Sequence, residues 1–243
     1  MTPEGDGMFH VKICGVTTAA DARMVADAGA DAIGLNFVSG SPRRLDLDSG
    51  REVSDAIPPG VLRVGVFAGM PAVEILRFAM ELSLDAIQLH GHLSGDESPV
   101  DPPQLCGELA GLPVFRAVRL EAARPGIDAL AAARQWIAAA IAVGGMLRMV
   151  IVDAAVTPGT SAGQLGGTGA LVDWAALVQT RSLPVPMAVA GGLTPANVAE
   201  AIRLTRLLAV DTASGVESGL GRKDPEKVRA FVAAARRALR LPK

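Results

Sequence analysis

Lys12, Cys14 and Gly15 close an apolar, strand-like run, HVKICGVT at residues 10–17, near the start of a 243-residue chain. A free cysteine behaves as a small hydrophobe, so a buried structural thiol is one reading of Cys14. A reactive group at a strand end is the other. A thiol works as a base or nucleophile only as the thiolate, a few per cent populated at neutral pH when its pKa is near 8.5, and a nearby cation such as Lys12 enriches that form. Other polar residues and glycines stand where apolar runs give out: Asn36, Gln88, His90, Asp153, Gly191, Gly192, Asp211 and Ser214. Thiol, carboxyl, imidazole and bare backbone together suit proton transfer on a small anionic substrate.

Such groups need a scaffold that brings distant segments together. Apolar, β-rich runs occupy residues 11–15, 32–38, 63–69, 86–91, 114–120, 149–155, 186–192 and 207–215. Between them lie stretches of helical period, including AADARMVADAGA, PAVEILRFAMEL, IDALAAARQWIAAAIA, TPANVAEAIRLT and DPEKVRAFVAAARRAL, several opening on Thr, Asp or Pro. Strands alternating with helices predict βαβ units and a parallel sheet, and eight units in this length predict a TIM (β/α)8 barrel of the α/β class, a single domain over 8–243. A doubly wound open sheet would carry G-x-G-x-x-G after its first strand, and none is present. Residues 1–7, MTPEGDG, read as a flexible leader. In a barrel the strand ends with their polar groups meet at one mouth.

Composition narrows the partners. The net charge is −2, from 23 basic and 25 acidic residues mixed along the chain, with six Phe, two Trp and no Tyr. Neither a basic footprint nor a stacking platform for nucleic acid is present. No apolar run reaches membrane-span length, and the N-terminus lacks an apolar signal region, so neither membrane nor export is expected. Two cysteines, Cys14 and Cys106, make no disulfide framework, and reduced thiols point to a cytoplasmic protein. Three histidines, His10, His90 and His92, complete no metal-ligand spacing, so no metal is expected.

Strand alternation pairs residues by face. Lys12 shares a face with Cys14, Gln88 with His90, Ile151 with Asp153 and Ala209 with Asp211. A lysine turned into a barrel needs a counter-charge, and strand eight neighbours strand one, so Asp211 is the expected partner of Lys12. The glycines predict a phosphate site. AGG at 190–192 and TASGVESG at 212–219 follow strands seven and eight, where such barrels bind phosphate through backbone N–H groups, here from Gly191, Gly192, Ala213, Ser214 and Gly215. Tight βα turns are the alternative use of these glycines.

KICG at 12–15, SPR at 41–43, RVGVF at 63–67, QLHG at 88–91, VDA at 152–154, GGTG at 166–169 with VDW at 172–174, AGGLTPANV at 190–198 and SGVES at 214–218 follow in order. In order and spacing this set resembles the phosphoribosylanthranilate isomerases from about Val11 to Ala233. The resemblance implies an Amadori rearrangement in tryptophan biosynthesis, in which N-(5-phosphoribosyl)anthranilate becomes 1-(2-carboxyphenylamino)-1-deoxyribulose 5-phosphate. It implies Cys14 as general base, Asp153 as general acid and Arg43 as the group that holds the aromatic carboxylate. It also implies a phosphorylated aminosugar as partner, no cofactor, and a monomer rather than a homodimer. Lys12, Gln88, His90 and Asp211 are expected to line the pocket. Asp must be raised above its ordinary pKa near 3.9 to hold a proton at neutral pH, whereas the thiol must be lowered.

Some positions read differently or depart from the family pattern. Two adjacent arginines, Arg43 and Arg44, are by themselves an ordinary solvated pair, and only the resemblance prefers Arg43. Cys106 reads as structural, Asp173 as a helix N-cap and Trp174 as packing. The segments HLSGDESPVDPPQ after strand four and DAAVTPGTSAGQLGGTG after strand six are longer than the family pattern, and the second is expected to close over substrate. Ala213 stands where the family often has serine. An isomerase for a related phosphorylated aminoaldose, or a weak paralogue that only binds anthranilate or a sugar phosphate, are the alternative functions.

Overall fold

The computed structural model describes residues 8–92, 100–120, 128–153, 174–179 and 183–241. The leader, Asp173 and most of the long segment after strand six lie outside these residues.

Eight parallel strands close into one barrel in sequence order: β1 (Val11–Cys14), β2 (Ala32–Asn36), β3 (Leu62–Phe67), β4 (Ala86–Leu89), β5 (Val114–Arg119), β6 (Leu147–Asp153), β7 (Met187–Ala190) and β8 (Val210–Thr212). The seam is closed by β1 on β8, with Lys12 opposite Asp211. The expected TIM barrel is therefore present, although β8 is much shorter than the apolar run 207–215. Beyond Thr212 the chain turns through a 3-10 helix, Ser214–Val216, into a small hairpin of β9 (Glu217–Gly219) and β10 (Arg222–Lys223).

Outside the barrel run α1 (Ala19–Asp27), α2 (Leu47–Asp55), α3 (Ala72–Glu81), α4 (Leu105–Glu108), α5 (Ala131–Ala142), α6 (Trp174–Gln179), α7 (Val198–Thr205) and α8 (Pro225–Ala238). Local chemistry sets their starts. Thr18 caps α1 by accepting from the Asp21 N–H, and Asp224 caps α8, where Pro225 occupies the first turn. Helix α2 starts on a reciprocal capping box between Asp46 and Ser49, and Gly50, Val53 and Ser54 bury its inner face.

Alternation along each strand separates two cores. Val11, Ile13, Ile33, Leu35, Val150, Val152 and Val210 face outward and pack under the helices. Phe9, Ala32, Val64, Ala86, Phe115, Met149, Ile151, Ala188, Ala190 and Ala209 fill the lumen. Phe9 and Phe115 meet edge to face at 5.4 Å, and the surrounding alanines leave room for them. The lumen is thus plugged with apolar side chains at one end. Lys12, which shares its face with Cys14, lies toward the other.

Candidate active site

Cys14, Asn36, Arg43, Gln88, His90, Asp153, Gly191, Gly192, Asp211, Ala213 and Ser214 all line one cavity at the C-terminal mouth of the barrel. β1 and β6 carry Cys14 and Asp153, and they stand three strands apart around the wall. A thiol and a carboxyl therefore approach a bound molecule from different sides.

The lysine beneath Cys14 is held in place. Lys12 is fully buried, and its Nζ donates to Asp211 Oδ1 at 3.0 Å. Burial alone would push the ammonium down, but Asp211 and Cys14 together outweigh it and hold Lys12 above its ordinary value. Lys12 therefore stays a cation beside the thiol. The space for Cys14 comes from the neighbouring strand: a Cβ on Gly34 would stand 2.7 Å from Cys14 Sγ and 3.0 Å from its Cα. Gly34→Ala must displace the thiol, and a displacement of about 1 Å is worth about 100-fold in rate. The expected result is a kcat loss of about 10–100-fold in steady-state assays with the melting temperature little changed.

Arg43 is buried, whereas Arg44 is exposed. The Arg43 stem lies on Gly15, which adopts φ +69° and has no room for a Cβ against Arg43 Cδ. Its guanidinium donates from Nε to Glu217 Oε1 at 2.7 Å and from Nη2 to Glu217 Oε2 at 2.8 Å. Glu217 thus takes one bidentate edge of the guanidinium. The Nη1–Nη2 edge is the one left for a substrate carboxylate. Burial favours the neutral form of Glu217, but hydrogen bonds from Arg43 and Lys223 outweigh it and hold the carboxyl below its ordinary range.

The two glycine loops are joined to each other. Gly191 and Gly192 adopt φ +86° and +62°. Asn197 does not cap α7; its Oδ1 accepts from Thr194 N and its Nδ2 donates to Gly192 O, so the loop after β7 is tied from within. Thr212 Oγ1 donates to Leu193 O at 2.7 Å. Gly215 packs so closely on Leu193 O that a Cβ there would overlap it. Four of the five expected phosphate residues line the mouth; Gly215 does not, and serves as the contact on which the two loops rest.

Gln88 is buried, with Nε2 3.3 Å from His90 Nδ1 and with Oε1 lacking a partner among the described residues. Burial, reinforced by Arg116, Lys12 and Arg119, pushes the His90 imidazole down to about 4. His90 is therefore neutral at pH 7. Unfolding restores its ordinary value near 6.5, so the unfolded chain binds more protons between pH 4 and 6.5 and stability falls as pH drops through that window. Chemical unfolding of wild type against His90→Asn should show about 1–3 kcal/mol less pH dependence in the variant between these limits.

Sequence reasoning missed one buried network behind the mouth. Arg116, fully buried on the outer face of β5, donates to Asp101 Oδ2 at 3.1 Å and to Gly91 O at 2.6 Å, and stacks over Trp136 at 4.8 Å. Asp101 also accepts from Gly69 N and Gly91 N, and its carbonyl from Trp136 Nε1. The loops after β3 and β4 are thereby fastened to α5, next to His90. A charged residue within the run VFRAVR was the available signal. Cys106 is buried in α4, where burial pushes its thiol up to about 12, as suits a structural residue. Among the described residues no group of three His, Cys, Asp or Glu side chains could hold a metal ion, and no helix is long and apolar enough to cross a membrane.

Comparison with known proteins accounts for this arrangement. The family described as N-(5'phosphoribosyl)anthranilate (PRA) isomerase matches residues 11–234. The chain belongs to that family. Among PRA isomerases, that of Acidithiobacillus ferrooxidans is 40% identical over 232 residues, covering 94% of this chain and 98% of the relative. The Myxococcus xanthus PRA isomerase is 40% identical over 227 residues, covering 93% and 96%. The crystal structure of the Thermotoga maritima PRA isomerase superposes with a TM-score of 0.73 at 30% identity, covering 94% of this chain and 99% of that one. A PRA isomerase solved in complex with reduced 1-(o-carboxyphenylamino)-1-deoxyribulose 5-phosphate superposes at 0.68 with 29% identity and the same coverage.

Proposed function

We propose that this PRA isomerase family member catalyses the Amadori rearrangement of N-(5-phosphoribosyl)anthranilate in tryptophan biosynthesis, with Asp153 as general acid and Cys14 as general base. Asp153 gives its proton to the furanose ring oxygen, the C1–O bond opens, and a Schiff base forms. The Cys14 thiolate then takes the C2 proton, giving an enolamine that tautomerises to the ketone. Lys12 keeps its positive charge next to Cys14, held there by Asp211. Asp211 prevents that lysine from standing as an unpaired buried charge. The step only moves protons, so it calls for no redox cofactor.

The observation that carries the reading is the shared cavity, which Cys14, Asp153, Arg43 and both glycine loops line together. In the proposed pose the phosphate rests on backbone N–H groups of the loops after β7 and β8, and the anthranilate carboxylate meets the Nη1–Nη2 edge of Arg43. The two anionic ends are then fixed, and the sugar lies between acid and base. The test incubates purified protein with freshly prepared N-(5-phosphoribosyl)anthranilate and follows loss of its anthranilate-type fluorescence. Enzyme-dependent loss at micromolar substrate is expected, and its absence would overturn the reading.

The proposed setting is the cytoplasm, with the phosphorylated aminosugar as the partner and the chain acting as a monomer of 24.9 kDa. Light scattering checks the oligomeric state, and a species of twice that mass would contradict it.

A further inference from the structure

Behind the mouth, the hairpin of β9 and β10 carries two buried charges to which the reaction gives no direct task. Lys223 is 4% exposed and Glu217 8%. The Lys223 ammonium donates to Glu217 Oε1 at 2.8 Å and to the backbone carbonyl of Ala213 at 3.0 Å. Glu217 in turn holds Arg43 at two nitrogens. The Glu217 carbonyl accepts from Lys227 Nζ of α8 at 2.7 Å, and the Lys223 N–H reaches Asp21 Oδ2 of α1 at 3.3 Å. The hairpin is thus anchored to two helices, and one ammonium touches both halves of the mouth.

The Ala213 contact has a directional consequence. In a trans peptide the carbonyl of one residue and the N–H of the next point in opposite directions. Drawing Ala213 O back onto Lys223 turns the Ser214 N–H the other way, and Ser214 lines the cavity. Ala213 has no side-chain hydroxyl to share the task, so the aim of this backbone donor matters more in this chain. On the other side, Glu217 is held by Lys223 while it fixes the edge of Arg43 that faces away from the substrate. Arg43, Glu217 and Lys223 together carry one net positive charge next to a ligand with two anionic ends.

We propose that Lys223 is a positioning residue that sets both anion subsites at once, the phosphate cradle through Ala213 and the carboxylate clamp through Glu217 and Arg43. This rests on the isomerase reading of the mouth. Lys223 touches no reacting atom, so its effect falls on binding of the two ends rather than on proton transfer.

The experiment compares Lys223→Met, Lys223→Arg and Glu217→Gln with wild type, using inorganic phosphate and anthranilate as separate competitive probes, with thermal unfolding to show that each variant folds. In Lys223→Met both probes should weaken by about tenfold or more, the loss expected when a charge-assisted hydrogen bond no longer holds each subsite. KM should rise several-fold more than kcat falls. Lys223→Arg, which keeps a cation able to reach both oxygens, should recover most of the phosphate affinity. Glu217→Gln leaves the Ala213 contact in place, so it should weaken anthranilate while phosphate stays within about threefold. Unchanged phosphate affinity in folded Lys223→Met would overturn the proposal, as would a kcat loss with KM unmoved. If Lys223→Met does not fold, Glu217→Gln decides: equal weakening of both probes would contradict two separately wired subsites. Wild type that binds phosphate but turns over no substrate would instead count against the isomerase reading alone.

Discussion

Cys14→Ala and Asp153→Asn are each expected to lower kcat by about 10²–10⁴-fold, the range contributed by one positioned acid or base. KM should move only a few-fold, because neither change touches Arg43 or the backbone N–H groups proposed to bind the phosphate. Both variants should fold, since each substitution is small and sits at a half-exposed mouth position. The double variant should lose far less than the product of the two single losses, because acid and base act as a unit. Steady-state fluorescence kinetics at saturating substrate measure all three. Full turnover by either single variant would remove its assigned role while sparing the reaction.

The second large effect is on stability. Arg116→Met keeps the length of the stem but leaves Asp101 as a fully buried carboxylate that, among the described residues, faces only the N–H groups of Gly69 and Gly91. Breaking a buried pair from one side costs about 3–5 kcal/mol, several times what an exposed pair contributes. The melting temperature should fall by about 6–20 °C for a domain of this size. Arg116→Met combined with Asp101→Asn should recover part of the loss, since the stranded charge is then gone. Denaturant unfolding of the single and double variants checks this; a loss below about 1 kcal/mol for Arg116→Met would show the network to be dispensable.

The barrel was legible in the sequence because parallel strands bury both faces. Runs such as AIGLN and MVIVD are continuous and apolar, and helical periods separate them. Helix α2 has only two large apolar residues, Leu47 and Val53, and its start is marked by the capping box of Asp46 and Ser49. The β8 boundary was overextended: residues 213–215 are apolar or small like a strand, yet they turn to form the loop on which Leu193 rests. The Lys12–Asp211 pair followed from alternation plus closure of the barrel.

What alternation cannot show is which partner a side chain finds across a loop. Glu217 was visible in SGVES, and Arg43 in SPR, but nothing in their separation of 174 positions announces that they meet. Gly34 was equally silent. Its meaning lies in the Sγ atom of another strand, and the sequence carries no trace of that proximity. Asp101 sits after a proline-flanked segment that reads as loop, and only the fold brings it to Arg116.

One mouth on this chain is proposed to hold base, acid, carboxylate clamp and phosphate cradle in working order. A crystal structure with reduced 1-(o-carboxyphenylamino)-1-deoxyribulose 5-phosphate bound tests it most directly. The phosphate is expected on the backbone of residues 190–192 and 213–214, the carboxylate on the Nη1–Nη2 edge of Arg43, C2 beside Cys14 Sγ and the former ring oxygen beside Asp153. A phosphate seated away from those two loops, or a sugar whose C2 lies out of reach of Cys14, would contradict it.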